Sequence, residues 1–241
     1  MYGVNTRPYI VLNNRNSRFI PGLLVTDLPP ITKPKIRTRA ETVDGRDGDI
    51  ITPLGYAAYN KELRIALTYG YNVDDIISFF NSSGTVTFSN EPDVYYNYAI
   101  YEPIDFEKLI RFKTAKVVFH VQPFKYPAFE RAITHEFDGL TPRLYLIRNI
   151  GNIASRPTIT IYGSGTIIFR INGIEKLKIE LGDEPYITID SQNMNAFING
   201  RYANRLVTGD YDKIQLEPGN SQIGFAGAVS KFYIYNYSRF I

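Results

Sequence analysis

The residues able to do acid–base, nucleophilic or metal chemistry are few and scattered. The chain has no Cys and only two His, His120 and His135. Thiolate nucleophiles, disulfides and Cys-ligated metals are thereby excluded. His120 lies in the alternating run 116–122, and His135 stands beside Glu136 and Asp138. Neither belongs to a nucleophile elbow or a paired-His helix, so both read as structural or solvated side chains. Asp44, Asp47 and Asp49 crowd one loop, but their spacing departs from a calcium-binding loop and lacks its terminal Glu. Turn chemistry, with Asx side chains bonding nearby backbone, accounts for them. Asp74 and Asp75 suit a helix N-terminus. Asn81-Ser82-Ser83 and Asn236-Tyr237-Ser238 match the glycosylation sequon, which is empty for a chain that never enters a secretory pathway. The chain reads as a non-enzyme with no metal and no cofactor.

A row of cations says more. Lys33, Lys35, Arg37 and Arg39 recur at every second position, interleaved with Ile36, Thr38 and Ala40. That is the period of a strand, and it would set the charges along one face. Ile50 and Ile51 resume an extended run, and between lie Gly45-Arg46-Asp47-Gly48, whose glycines supply the positive φ of a tight reversal. The stretch 28–71 should therefore carry a long β-hairpin with one charged face. A lone hairpin is marginal in water, so it must lean on its own domain or on another subunit.

The elements around it are mostly strands. The chain has 241 residues, 44% hydrophobic and 21% charged, with 14% aromatic content carried by Tyr and Phe. This composition fits a folded, β-rich chain of one large or two ordinary domains. A net charge of +3 does not by itself imply nucleic-acid binding. No apolar run reaches the roughly twenty residues of a membrane span, and the N-terminus lacks a secretory h-region. Strands are expected at 9–13, 23–26 and 62–68, where Leu63, Ile65 and Leu67 point one way. One helix should start at the N-cap Asn72, present Val73, Ile76, Ile77 and Phe80 as a stripe, and stop at 81–84. Strands 85–89, 94–101 and 115–122 follow, with 104–112 bridging the last two. Pro123, Pro127 and Pro142 punctuate a boundary. Beyond Arg143, pairs such as Ile159/Ile161, Ile187/Ile189 and the set Ile167/Phe169/Ile171 mark inward faces, separated by Gly- and Asn-rich turns. Such spacing indicates a β-sandwich. The fold class is mainly β: an N-terminal antiparallel β domain (1–133) with one short helix and a long hairpin extension, then a C-terminal β-sandwich (134–241).

Leu28-Pro29-Pro30, Gly45-Arg46-Asp47-Gly48 and Val121-Gln122-Pro123-Phe124-Lys125-Tyr126 follow one another in a characteristic order and rough spacing. In this ordered set, followed by an all-β second half, essentially the whole chain resembles the distal tail (Dit) proteins of siphophages. The resemblance implies a structural tail protein whose copies close a hexameric ring, the hub joining the tail tube to the tail tip or baseplate. N-terminal domains would line the channel, the hairpin would clasp the neighbouring subunit, and a galectin-like sandwich would project outwards. The subunit interface would then include Lys33, Lys35, Arg37, Arg39, Gly45, Arg46, Asp47 and Gly48. Implied partners are further copies of the chain, the tail tube protein, the tail-tip (tail-associated) protein, the tape-measure protein and, in some relatives, a receptor-binding protein. DNA would meet the ring only in transit, and no membrane is involved. The protein would be assembled in the host bacterial cytoplasm and reside in the virion tail. The cation row then has three readings: acidic groups on a neighbouring subunit, DNA in the channel, or a solvated edge whose Lys block aggregation. The subunit contact is favoured over DNA, because tight phosphate binding would impede passage. The alternative of a different class is a carbohydrate-binding module-type protein, with Tyr162, Tyr186 and Tyr202 as glycan contacts; the lack of Trp and of a signal segment weighs against it.

Overall fold

In a computed structural model, which describes residues 7–80, 83–137 and 144–241, the chain divides into two units, Met1–Ala128 together with Ile241, and Phe129–Phe240. Met1–Thr6, Asn81, Ser82, Asp138, Pro142 and Arg143, which entered the sequence reading, lie outside the described residues.

The first unit is built on one sheet. Its strands are β1 (Ile10–Leu12), β2 (Arg15–Asn16), β3 (Leu23–Asp27), β6 (Tyr59–Leu67), β7 (Ser83–Phe88), β8 (Val94–Ala99) and β9 (Thr114–Pro127), while β4 (Ile36–Thr42) and β5 (Asp49–Tyr56) form a separate pair. The seven strands run β2-β1-β7-β8-β9-β6-β3, antiparallel at every pairing. Leu63, Ile65 and Leu67 on β6 are buried, as the alternation requires, and meet Val117, Phe119 and Val121 of β9 in the core.

Two helices cover this sheet where one was expected. Helix α1 (Val73–Phe79) starts as predicted, with the Asn72 side chain accepting from the Asp74 N–H at 2.9 Å. Its stripe is rotated from the predicted one: Ile76, Phe79 and Phe80 are buried, whereas Ile77 is 46% exposed. The helix ends after seven residues, and its last turn delivers Phe79 and Phe80 to the core as an edge-to-face pair 5.1 Å apart. The bridging segment holds α2 (Phe106–Phe112), capped by Asp105, which accepts from the Lys108 N–H, and buried through Leu109.

The second unit comprises β10 (Ile133–Glu136), β11 (Leu144–Asn149), β12 (Thr158–Ile171), β13 (Ile174–Glu180), β14 (Tyr186–Asp190), β15 (Asn195–Ile198), β16 (Arg201–Tyr202), β17 (Val207–Gly209) and β18 (Gly219–Tyr235). These nine strands form one hydrogen-bonded sheet that folds over itself. The fold-over lies in the two longest strands. Residues 158–162 of β12 pair with β14 and with 231–235 of β18, while 166–171 pair with β13 and 168–171 with 223–226. The ladder between β12 and β18 breaks register between these halves. Glycine is required there. A Cβ on Gly163 would sit 2.2 Å from the Ala228 carbonyl oxygen, and one on Gly227, at φ 99°, 2.2 Å from that of Thr166. Bulged, glycine-bent strands are how a sheet turns a corner. The halves share one apolar core, with Ile159, Ile161, Ile187 and Phe232 from one layer and Ile167, Phe169, Leu177 and Ile223 from the other. The last strand stays in this unit, where Asn236 and Ser238 are buried and Arg239 bridges to Ile153.

Candidate assembly interface

The predicted hairpin is present and unusually bare. Its strands pair from Thr42 opposite Asp49 to Ile36 opposite Tyr56, and every residue except Tyr56 is exposed. Gly45 and Gly48 both take positive φ, 79° and 75°, and the Arg46 N–H bonds the Val43 carbonyl at 3.1 Å to close the turn. Thr42 Oγ1 donates to Asp49 Oδ1 at 3.1 Å, a bond between side chains across the first pair of the hairpin and not the bond to nearby backbone that turn chemistry suggested. Apolar side chains are left uncovered, with Ile51 65%, Leu54 53% and Val43 44% exposed.

The cation row is shorter than the spacing suggested. The strand begins at Ile36, beyond the buried Pro34, so Lys33 and Lys35 precede it and do not share its pleated face. Pro34 has no N–H to donate to a ladder, and the paired strand starts two residues after it. Arg37 and Arg39 are on β4; Arg37 donates to the Leu54 carbonyl at 3.2 Å, and Arg39 pairs with Glu41 at 2.7 Å. Lys33, Lys35, Arg46 and Asp47 are exposed, with no side-chain hydrogen bond or ion pair among the described residues.

What fixes this hairpin is its root, and here the sequence reading missed a buried charge. The alternation of Leu63, Ile65 and Leu67 continues backwards to Lys61 and Tyr59, so Lys61 lies on the core face and is 2% exposed. Its ammonium donates to the Pro30 carbonyl at 2.9 Å and sits over the rings of Tyr96, Phe88 and Tyr59, at 4.9, 5.6 and 5.8 Å from their centroids. Asn90 donates to the Pro29 carbonyl at 3.0 Å, and the Tyr59 hydroxyl donates to the Thr32 backbone carbonyl at 3.4 Å. At the neck the Ala57 N–H bonds the Lys35 carbonyl at 2.8 Å, and Tyr56 packs edge-on against Phe124 at 5.6 Å. Leu28-Pro29-Pro30 and the stretch around Phe124-Lys125 thus converge on one place.

A second lysine and a carboxylate complete that place. Lys125 Nζ lies 2.5 Å from Glu91 Oε1, and the Tyr96 hydroxyl donates to Glu91 Oε2 at 2.7 Å. Burial alone would push the Glu91 carboxyl up; the bonds from Lys125 and Tyr96 and the two ammonium charges outweigh it and hold it below the usual carboxylate range. Burial, opposed by Glu91 and reinforced by Lys125, holds the Lys61 ammonium below its usual value. Burial and the neighbouring Glu91 drive the Tyr96 phenol far up, so it stays protonated and donates. Lys61, one of two cations about this anion in a box of aromatic rings, ties the segment that enters the hairpin to the sheet through the Pro30 carbonyl.

The other candidates are dispersed. His120 bonds Asn60 Oδ1 at 2.9 Å, and His135 sits among Phe137, Tyr145 and Phe232. Among the described residues no three His, Asp or Glu side chains converge as a metal site would require, and no helix is long and apolar enough to cross a membrane. In the second unit Tyr162 and Tyr186 are cross-strand neighbours 5.3 Å apart, with Lys231 over the Tyr162 ring at 5.1 Å. Tyr202 is two strands further on, 73% exposed and tilted against the Phe197 ring at 5.0 Å.

Comparison with protein-family models and with curated proteins gives no match. Among solved structures, the whole chain has the fold of phage hub and baseplate proteins. It is similar to the crystal structure of the SPP1 Dit protein, described as a paradigm of the hub adsorption apparatus in phages infecting Gram-positive bacteria. The TM-score is 0.68 at 17% identity, over 98% of this chain and 100% of that one. It is also similar to a chain of the phage P2 baseplate in its activated conformation with calcium, with a TM-score of 0.51 at 12% identity over 95% and 97% of the two chains. Identity this low makes the likeness one of fold, and at that level the resemblance to distal tail proteins holds.

Proposed function

We propose that the protein is a structural subunit of a phage tail, forming a hexameric ring that joins the tail tube to the tail tip or baseplate. Its first domain makes the ring and lines the channel, and its second, a galectin-like sandwich, faces outwards. The observation that carries this reading is the β4–β5 hairpin, exposed along both strands with uncovered Ile51 and Leu54, yet anchored at its root by buried charge. Exposed apolar groups on a held arm suit burial against another copy of the chain. The fold shared over 98% of the chain with the SPP1 Dit protein supports the same reading. Lys33, Lys35, Arg37, Arg39 and the turn Gly45–Gly48 then contact the neighbouring subunit, with the tail tube, tail-tip and tape-measure proteins as further partners. The test is sedimentation of the purified chain beside Arg37→Glu/Arg39→Glu and a variant whose 43–48 turn is cut to Asn-Gly. Both variants should keep the circular dichroism of the folded parent and fail to form its oligomer; variants that assemble as the parent does would overturn the assignment.

A further inference from the structure

At the β15–β16 end of the second unit lies a cleft of about 500 Å³, lined by Glu184, Asn199, Arg201, Tyr202, Arg205 and Leu206 among others. Its size falls within the range of small-ligand sites. Arg201 and Arg205 are exposed and their side chains make no ion pair or hydrogen bond among the described residues, although Glu184 lines the same space. A planar guanidinium without an internal partner suits a carboxylate or phosphate, which it can hold through two parallel bonds. Tyr202 is 73% exposed and backed by the Phe197 ring, a flat aromatic platform open to solvent. The cleft is also held in shape. Asn199 Oδ1 accepts from the Tyr186 hydroxyl at 2.8 Å, which orients its amide, and Asn204 ties the turn carrying Arg205 to Asn195 at 3.0 Å.

We infer that this cleft binds an anionic saccharide, its acid group on Arg201 and Arg205, its ring face on Tyr202, and its hydroxyls on Asn199 and Glu184. Two cations and one carboxylate match a sugar bearing a single acid group. A nucleic acid strand would need a row of cations and no carboxylate among them. Tyr162, two strands away under Lys231, takes no part, and Tyr186 acts only through Asn199. The site stands apart from ring formation, so either can fail without the other.

The test is calorimetric titration of the full chain with a glucuronate-containing tetrasaccharide, glucose 1-phosphate, a neutral maltotetraose, inorganic phosphate and a dinucleotide. One or both acid sugars should bind, about tenfold or more tighter than the neutral one, and which of them binds tells carboxylate from phosphate recognition. Arg201→Gln, Arg205→Gln and Tyr202→Ala should each weaken that binding about tenfold while leaving the unfolding temperature unchanged. No binding of either acid sugar at ~10 mM would overturn the inference. So would inorganic phosphate or the dinucleotide binding as tightly as the sugars, or indifference to the three substitutions.

Discussion

Replacing Glu91 with Gln probes the root that holds the hairpin. The carboxylate receives Lys125 at 2.5 Å and Tyr96 at 2.7 Å, and its charge also faces Lys61. Gln keeps the shape but leaves two ammonium groups facing each other without their anion. Removing one member of a buried pair costs about 3–5 kcal/mol. The Glu91 side chain is 8% exposed and that of Lys125 19%, so water reaches one partner and the lower end applies. A loss of about 3 kcal/mol should lower the midpoint of the first unit by roughly 10 °C. Thermal unfolding followed by near-ultraviolet circular dichroism of the tyrosines, with hydrogen exchange to assign the transition, reads this shift. The second unit should be unaffected. The pH dependence has a fixed sign. Because the folded carboxyl lies below its unfolded value of 4.5, its contribution is complete above that pH and disappears as pH falls through the folded value. The gap between parent and variant should therefore close in acid. A loss below about 1 kcal/mol at neutral pH, or a gap that persists in acid, would refute the reasoning.

Further outcomes follow from the same geometry. Lys61→Met, placing an apolar chain in the aromatic box, should cost about 1–3 kcal/mol through the lost bond to Pro30 and should raise hydrogen exchange in 28–35. Combined with Glu91→Gln, it should cost at least about 1 kcal/mol less than the sum, since one of the opposed cations is gone; additive denaturation data would contradict the shared site. Gly227→Ala, which meets the Thr166 carbonyl at 2.2 Å from a positive φ, should cost about 3 kcal/mol or more in the second unit alone, measured by urea unfolding. Arg39→Ala, which breaks only the exposed pair with Glu41, should change monomer stability by less than about 1 kcal/mol in the same assay.

Period-two patterns in the sequence located most of the strands, because half-buried strands advertise themselves at every second residue. The same rule, carried two positions before Leu63, puts Lys61 inside. It was hidden because a lysine ends a hydrophobic pattern by type, and its partners Glu91 and Lys125 come from other strands. Helix α2 did carry its signal, the Asp105 cap and the spacing of Phe106, Leu109 and Ile110, but seven residues are too few to stand out between two strands. The continuity of β12 and β18 was not legible. Gly163 and Gly227 look like turns, and only the pairing on either side shows a strand bending through them. The hairpin was visible from its turn, whereas Pro34 trims the charged face that the spacing alone suggested. The cleft at Arg201 and Arg205 has no local motif, since Glu184 reaches it from a different turn.

The proposed function requires copies of this chain to close a ring. Light scattering on the purified protein, with negative-stain imaging of the same peak, tests it most directly, alone and mixed with the tail-tip protein. Six-fold rings with a central hole are expected, and their formation should depend on the hairpin turn 43–48. A particle that stays monomeric at tens of micromolar in both conditions would contradict the proposed function.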